Sequence, residues 1–529
     1  SCDRKSVCSL RDHSNMARLD AVLTLFCYLS VANSARILAI FPTPSFSHQL
    51  PLRPFTQELA RRGHDVTVLT TDPVFDGNPN INEIDVHDMS YKLWRENFLA
   101  ASKGSSQDFG TLVRISCNIM LEIFVKQLQT PEMQRVIYNE TYDLLILEAW
   151  VRPALIFSHF HKVSVIQVST LGGWFTNYEV LGAPSHLVLY PQSIRQRTYN
   201  LTVWEKVSEF YTYYSMYLYY TKFEKIENEV LRNSFDLNMP ALSELENNVD
   251  LLFLNVYPFW DGNRPVPPNI VYIGGIHQTE PKMLPKDLES YLNSSKNGVI
   301  YMSFGTNTNP SNLPSQKIQM MVNAFSQLPY DVLWKWDKDE LPGRTDNIKI
   351  SKWLPQPDLL KHPKIKLFIT QAGLQSTDEA LIAGVPLLAI PMLGDQWFNA
   401  EKYVHLKIGL QLSIETLTHE EFKGAIEEVI GNPSYRENII KLREITHDQP
   451  QSPLDRAIWW TEHVLRHGGA RHLRAPSANI SWAEYLELEL ILILIAVAVV
   501  FIVILSSIIL YVGKYLLKLS LRTEKVKEN

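Results

Sequence analysis

Cysteine is nearly missing from this sequence, with 4 residues in 529. Cys2 and Cys8 precede Met16, Cys27 lies in the apolar stretch that follows it, and Cys117 alone belongs to the chain beyond. The mature chain therefore has no intrachain disulfide to lean on, and its fold must rest on apolar burial. An excess of one charge is also lacking: the net charge is -6 and no long basic run occurs, which sets nucleic acid aside as a partner. No G-x-G-x-x-G follows the first strand-like segment, so a dinucleotide-dependent dehydrogenase is excluded. Hydrophobic residues at 46% and charged residues at 20% are globular values that exclude disorder and a many-pass membrane protein. At 529 residues the chain exceeds one ordinary core, and two domains are expected.

Two segments read as addresses or anchors. From Met16 a basic residue, Arg18, is followed by an apolar run through Leu29 and the small-residue stretch VANSA, the pattern of a secretory signal over 16–35. Residues 1–15 then form an upstream extension, and the mature chain begins near Arg36. Toward the other end, 490–512 is apolar and uncharged, longer than the ~18 residues that suggest a spanning helix. Behind it Lys514, Lys518, Arg522, Lys525 and Lys527 place the tail, 513–529, in the cytosol. The expected topology is single-pass type I with a lumenal body and a juxtamembrane linker at 476–489. The terminal KVKEN resembles a dilysine signal for return to the endoplasmic reticulum, and it also reads as ordinary flanking charge. Sequons at Asn139, Asn200, Asn293 and Asn479 are compatible with glycosylation in that lumen.

Between leader and anchor the chain reads as two α/β halves. RILAIFP is a strand, TPSFSH a loop, QLPLRPFTQELARRG a helix closed by Gly63, and HDVTVLTT a second strand, which together make a right-handed βαβ unit. YDLLILEAW and SVIQVS continue the same buried parallel sheet. The turn-rich YPFWDGNRPVPPNIVYIGG separates a second series, NGVIYMSFG, DVLWKW, KIKLFIT and VPLLAIP. The expected domains are 36–265 and 266–475, with a cleft at the carboxyl ends of their strands, where open α/β sheets bind ligands.

The chemistry gathers in the second half. FITQAGLQSTDEAL runs from a strand through the turn at Ala372 and Gly373 into a helix, and Ser376 with Glu379 has the spacing of a capping box that starts the helix near Thr377. Free backbone N–H groups and a helix dipole make such a start an anion site, most simply for phosphate. Upstream, Trp353 supplies an aromatic face for a base and Gln356 an amide; Glu379 supplies a carboxylate for ribose hydroxyls; downstream, Asp395 and Gln396 suit the vicinal hydroxyls of a hexose. The ordered set describes a nucleotide sugar. Asp337 and Asp339 have the Asp-x-Asp spacing of a divalent-cation site, but their turn-forming, charged surroundings read as a solvated loop, so no metal is expected.

The run from Trp353 to Gln396 resembles the signature of the UDP-glycosyltransferases, and the likeness extends from FPTPSFSH to DRAIWWTEHVLRHGGARHLR and the lysine tail. GLQSTDEAL and GDQWFNA are most similar to insect-type members. The resemblance implies the GT-B fold, two facing Rossmann-like domains, and a UDP-sugar donor with Trp353 on uracil, Gln356 and Glu379 at the ribose, and Asp395 with Gln396 on the sugar. Ser303 and Thr306 would then lie close to the diphosphate. Gln371 departs from the pattern, since most relatives carry histidine there. An amide donates without carrying charge, which would weaken a phosphate contact by about 1 to 2 kcal/mol and free it of pH dependence.

Transfer to a hydroxyl needs a base. His48, in the expected loop after the first strand and facing the cleft, leads His64 and His159, and Glu148 at the end of YDLLILEAW is its expected orienting carboxylate, where mammalian relatives commonly have aspartate. A Glu148 that merely pairs with Arg152 is the other reading. The stretch FYTYYSMYLYYTKF could line an acceptor pocket, face a membrane interface or pack in the core. The expectation is an inverting, membrane-anchored transferase that moves a hexose, glucose by the insect-type resemblance, from its UDP-sugar to small lipophilic hydroxyl compounds in detoxification or conjugation. A homo-oligomer is compatible with it. Two alternatives stand beside it: a catalytically weak nucleotide-sugar-binding homologue and a glucuronosyltransferase.

Overall fold

The computed structural model describes residues 34–96 and 109–527, apart from 175, 194 and 307. The extension at 1–15 and the signal at 16–35, except Ser34 and Ala35, lie outside the described residues. The body up to Ala475 and the segment Pro476–Asn529 are separate units and are described in turn.

The first sheet has seven parallel strands: β1 (Arg36–Phe41), β2 (Asp65–Thr70), β3 (Ile81–Asp85), β4 (Leu144–Glu148), β5 (Ser164–Ser169), β6 (Val249–Leu254) and β7 (Ile270–Tyr272), in the order β3-β2-β1-β4-β5-β6-β7. The second has six, also parallel: β8 (Val299–Ser303), β9 (Asp331–Lys335), β10 (Ile348–Ser351), β11 (Ile365–Thr370), β12 (Leu387–Ala389) and β13 (Gly409–Gln411), in the order β10-β9-β8-β11-β12-β13. Strands such as RILAIF and LLILE are buried along almost their whole length because helices cover both faces, hence their continuous apolar runs. Each order reverses beside the domain's first strand, between β1 and β4 and between β8 and β11. These are the switch points at which a crevice opens in a doubly wound sheet.

Helix α1 (Phe46–Arg61) follows β1 and buries Leu52, Phe55 and Leu59 against the sheet. Truncating a ring buried like that of Phe55 costs about 3–5 kcal/mol. Helix α2 (Phe109–Leu128) and the long α3 (Val203–Ser234) complete one flank of the first domain. In the second domain α4 (Gln356–Leu360), α5 (Leu374–Ala383) and α6 (Gln396–His405) carry the residues of interest. A last helix of the body, α7 (Pro453–His467), returns to the first domain: Ala457, Ile458 and Val464 share a core with Ile37 and Phe55, and Arg456 Nη1 donates to the Tyr272 carbonyl at 2.9 Å.

The division at Pro265 is thereby corrected twice. β7 lies beyond that point and pairs with β6 in the first sheet, and α7 packs on the first domain although 266–475 was expected to belong to the second. Apolar matching decides both, since the two segments complete faces of the first core. The domains meet through a continuous apolar cluster that includes Tyr257, Trp260 and Tyr403. Trp260 Nε1 also donates across the junction to Asn399 Oδ1 at 2.8 Å.

In the second unit α8 (Leu488–Lys527) is a single helix, and Leu488–Leu521 within it is long and apolar enough to cross a membrane. The expected span, 490–512, falls inside it, and the helix continues into the basic tail.

Among the buried side chains with an unpartnered polar atom, Asp378 carries a titratable carboxyl. Asp378 in α5 is 2% exposed, its Oδ2 has no hydrogen-bond partner, and burial together with the neighbouring Glu379 holds its carboxyl well above the usual range. A carboxyl raised in the folded state costs nothing while both states are protonated. Above the unfolded value, about 3.9, the unfolded chain gains by ionising and the folded chain does not, so stability falls as pH rises. Asp378→Asn is therefore expected to raise the Tm of the detergent-solubilised chain by about 2 °C or more at pH 7, with the gain vanishing near pH 4, as followed by scanning fluorimetry.

Candidate functional site

The two switch points face one cavity of about 590 Å³. His48, Thr306, Trp353, Gln356, Gln371, Gly373, Ser376, Glu379, Asp395 and Gln396 all line it, drawn from both domains. Glu148 and Ser303 lie behind its wall.

On the first wall His48 is not in a loop. Helix α1 begins two residues earlier, and the His48 backbone N–H donates to the Ser45 carbonyl at 2.9 Å. Pro51 and Pro54 sit within α1, yet the helix forms around them because its apolar face is buried. Gln49 Nε2 fixes the preceding turn by donating to the carbonyls of Phe41 and Thr43 at 3.1 and 3.0 Å. Glu148, the last residue of β4 and fully buried, places Oε1 2.7 Å from His48 Nδ1. Its Oε2 accepts from the Thr43 N–H at 3.3 Å, and Thr170 Oγ1 lies 3.2 Å from the same imidazole nitrogen. A buried carboxylate only accepts, so the proton sits on Nδ1 and Nε2 is left with its lone pair. Arg152, the alternative partner, is engaged by Glu227 instead. His64 Nδ1 accepts from the Ala35 N–H, and His159 pairs with Asp236, so neither competes with His48.

On the second wall α5 begins at Leu374, three residues before the expected start. Gly373 is its N-cap and no side chain caps it. Ser376 and Glu379 are thus not a capping box. Both turn toward α4, where Gln356 Nε2 donates to Ser376 Oγ at 2.9 Å and to Glu379 Oε2 at 2.7 Å, while Gln356 Oε1 accepts from Tyr301 Oη at 2.9 Å. Burial raises the Glu379 carboxyl to about 7 against the Gln356 bond that lowers it. The first turn of α5 contains no acidic side chain of its own; the Leu374 N–H is met by the Asp395 carboxyl from the next strand end, and the remaining N–H groups keep the positive end of the helix dipole toward the cavity. Ala372, just before it, is held at φ 68, a left-handed conformation uncommon for a residue with a Cβ. Asn399 Nδ2 fixes that turn by donating to the Ala372 carbonyl at 2.9 Å and to Asp395 Oδ2 at 2.8 Å. Burial raises Asp395 to about 6. Gln396 Oε1 accepts from the N–H groups of Met392 and Leu393, both at 2.7 Å, which commits its carbonyl to the loop and leaves its N–H groups as donors.

Gln371 is nearly buried at the β8/β11 switch point. Its Oε1 accepts from Thr308 Oγ1 at 3.1 Å, and its Nε2 lies against Gly305, where an added Cβ would stand 2.3 Å away. Gly305, at φ 73, is needed both for its backbone and for this approach. Ser303 Oγ accepts from the Gly305 N–H at 3.3 Å and shapes the loop from behind. Trp353 is 61% exposed, with the edge of Phe46 from the opposite domain at 5.9 Å and Lys335 Nζ 4.6 Å from its ring centroid.

Lys335 was missed by the sequence reading. It ends β9 and donates from Nζ to the Gly305 carbonyl at 2.9 Å, and desolvation lowers its pKa. Its place between two tryptophans at the carboxyl end of a parallel strand was the available signal. Asp337 accepts from the N–H and hydroxyl of Ser311 and exposed Asp339 pairs with Lys352, so the Asp-x-Asp pair is split. Among the described residues no cluster of three or more His, Cys, Asp or Glu is arranged for a metal. The first-domain half of the cavity is aromatic, with Trp94, Trp150, Trp174 and Tyr220, and the thiol of Cys117 lies in this wall. Of the tyrosine-rich stretch, Tyr220 reaches the cavity, whereas Phe210, Tyr214 and Tyr217 point to solvent.

Comparisons with known proteins agree with this geometry. The family described as "UDP-glucoronosyl and UDP-glucosyl transferase" matches residues 36–523. The chain is 37% identical over 485 residues to an ecdysteroid UDP-glucosyltransferase of Lymantria dispar multicapsid nuclear polyhedrosis virus, covering 88% of this chain and 95% of the relative. A UDP-glycosyltransferase of Dactylopius coccus is 32% identical over 534 residues, with 96% and 99% covered. Among solved structures, the glycotransferase of kitacinnamycin has a TM-score of 0.54 at 20% identity, covering 81% of this chain and 98% of its own. Arabidopsis thaliana UGT89C1 complexed with UDP has a TM-score of 0.53 at 15% identity, covering 82% and 100%; both likenesses show the GT-B fold.

Two variants probe the two walls. Glu148→Gln keeps the shape of the His48 contact but removes its charge, and kcat is expected to fall by about two to four orders of magnitude with little change in donor KM, as read from initial rates. Gln371→His restores an ionisable donor beside Gly305 and is expected to lower the apparent donor KM up to about tenfold. A large loss of activity instead would show that the amide is a fitted part of the site.

Proposed function

Because the chain belongs to the UDP-glucoronosyl and UDP-glucosyl transferase family and is a glycosyltransferase that takes a UDP-sugar, we propose that it transfers glucose, with inversion, to a hydroxyl group of small lipophilic acceptors. The observation that carries this reading is the His48–Glu148 pair at 2.7 Å, set across one cavity from the start of α5 at Gly373. His48 Nε2 removes the acceptor's proton as the oxygen attacks the anomeric carbon, and Glu148 stabilises the imidazolium that results. UDP leaves toward the N-terminus of α5, whose N–H groups, with Thr306 and the Lys335 ammonium nearby, stabilise the charge gathering on the phosphate. Trp353 stacks on the uracil ring, Gln356 and Glu379 take the ribose, and Asp395 and Gln396 hold the hexose. Glucose is favoured over glucuronic acid by the names of the relatives, and a buried carboxylate at Asp395 also suits neutral sugar hydroxyls better than a second acid.

Helix α8 anchors the protein in the membrane of the endoplasmic reticulum with the body lumenal; its length and apolarity support the span, and the terminal lysines support the orientation. Exposed Asn139, Asn200 and Asn293, with the half-exposed Asn479, are then glycosylation sites. A homologue that had lost catalysis would have no reason to keep Glu148 bonded to His48 behind an open cavity.

Microsomes containing the chain, given radiolabelled UDP-glucose or UDP-glucuronic acid with phenols, flavonoids and ecdysteroids, are expected to transfer glucose. His48→Ala is expected to lose at least about 100-fold in rate. Absence of transfer from either donor, or an unimpaired mutant, overturns the mechanism.

A further inference from the structure

Helix α3 has two unlike faces. Inward, Met216 and Tyr220 are buried, and Tyr220 reaches the acceptor half of the cavity, where its hydroxyl accepts from Trp174 Nε1. Outward, Trp204, Val207, Tyr211, Tyr214 and Leu218 follow one another at intervals of three and four residues with Phe210 beside them; Trp204 is 81%, Tyr211 75% and Tyr214 62% exposed. No exposed side chain between Lys206 and Lys222 is charged. Along the stripe and just beyond it the carboxylates are turned to partners within the molecule, Glu205 to Arg197 and the Thr202 cap, Glu209 to Arg195, Glu224 to Asn228 and Ser243, and Glu227 to Arg152, while the exposed Glu229 lies past the stripe's end. The stripe is left apolar, aromatic and fringed by the exposed lysines 206, 222 and 225.

We propose that this stripe docks α3 on a lipid bilayer, with its rings at the boundary of headgroups and acyl chains. The proposal rests on the reading of α8 as a membrane anchor, which keeps the body beside a bilayer at all times. Tryptophan and tyrosine suit that boundary because an apolar ring and a polar tip sit in adjoining layers. Lysines at both ends can extend past the rings to lipid phosphates while their aliphatic stems lie along the apolar face. A second copy of the chain is the poorer occupant: pairing the stripe on itself, in either direction, brings lysine against lysine. A contiguous apolar face of this kind is also uncommon on a free soluble surface. With its outer face on lipid and Tyr220 on its inner face, α3 sets the acceptor pocket one helix away from the membrane. Acceptors dissolved in the bilayer are then the favoured substrates.

The test uses the full-length chain. Tyr214→Cys and, as a control, Met283→Cys at a position 96% exposed in the body, are labelled with bimane and placed in nanodiscs with or without bromine-substituted phospholipid acyl chains. Quenching by the brominated lipid is expected to be at least about twofold greater at position 214 than at 283. In microsomes, Tyr211→Glu with Tyr214→Glu is expected to raise the KM for a bilayer-partitioned acceptor about fivefold while the KM values for a water-soluble phenol and for UDP-glucose stay unchanged, which also shows that the variant is folded. Equal quenching at the two positions in a chain that resists alkaline carbonate extraction overturns the docking and leaves the anchor standing. Crosslinking of two copies through position 214 overturns it in favour of self-association. Release of the whole chain by carbonate removes the anchor and this docking together, and leaves the transferase activity unaffected.

Discussion

Both walls of the site depend on one constraint of parallel sheets, that all strands deliver their carboxyl ends to the same edge. In a sheet whose order reverses beside its first strand, the two connections at the reversal run to opposite faces and leave a gap between them. Here the gap at β1 and β4 holds His48 and Glu148, and the gap at β8 and β11 holds Gly305 and Gln371. Neither pair is local in sequence, and each is brought together by strand order alone. His48 and Glu148 are 100 residues apart.

What turns two gaps into one cavity is the domain junction. Asn399 stands at its centre, receiving from Trp260 of the first domain and donating to the Ala372 turn and to Asp395. Gln375 at the start of α5 adds a second crossing by donating to the Thr170 carbonyl at 3.1 Å, beside the hydroxyl that lies against His48. The α5 wall and His48 are therefore coupled through short hydrogen-bonded paths as well as through apolar contact.

The fold class, both sheets and ten cavity-lining residues were legible in the sequence, because buried parallel strands are continuous apolar runs and because strand ends carry the chemistry. Local spacing misleads where packing overrides it. Ser376 and Glu379 have the interval of a capping box, but Gln356 from another helix claims both, and the helix starts earlier at Gly373. TPSFSH contains a proline and small polar residues and reads as loop, yet its last three residues join α1 because Leu52 and Phe55 secure that helix to the sheet. The boundary at Pro265 followed the turn-rich composition, whereas β7 and α7 answer to apolar surfaces that no linear reading displays. Lys335 escaped notice because a lysine in a strand reads as an edge residue until its neighbours, Trp353 and the Gly305 carbonyl, are known.

The contact between Gln371 and Gly305 also binds the histories of two positions 66 residues apart. With the amide Nε2 where it is, any side chain at 305 would collide within 2.3 Å, and the left-handed backbone there adds its own objection. A change at 305 is thus tolerable only in a background where 371 has already shrunk or turned away, while changes at 371 remain open as long as 305 is glycine. Substitution can reshape this corner of the cavity through one door and not the other, and the order of changes in such a lineage is written into the packing of a single loop.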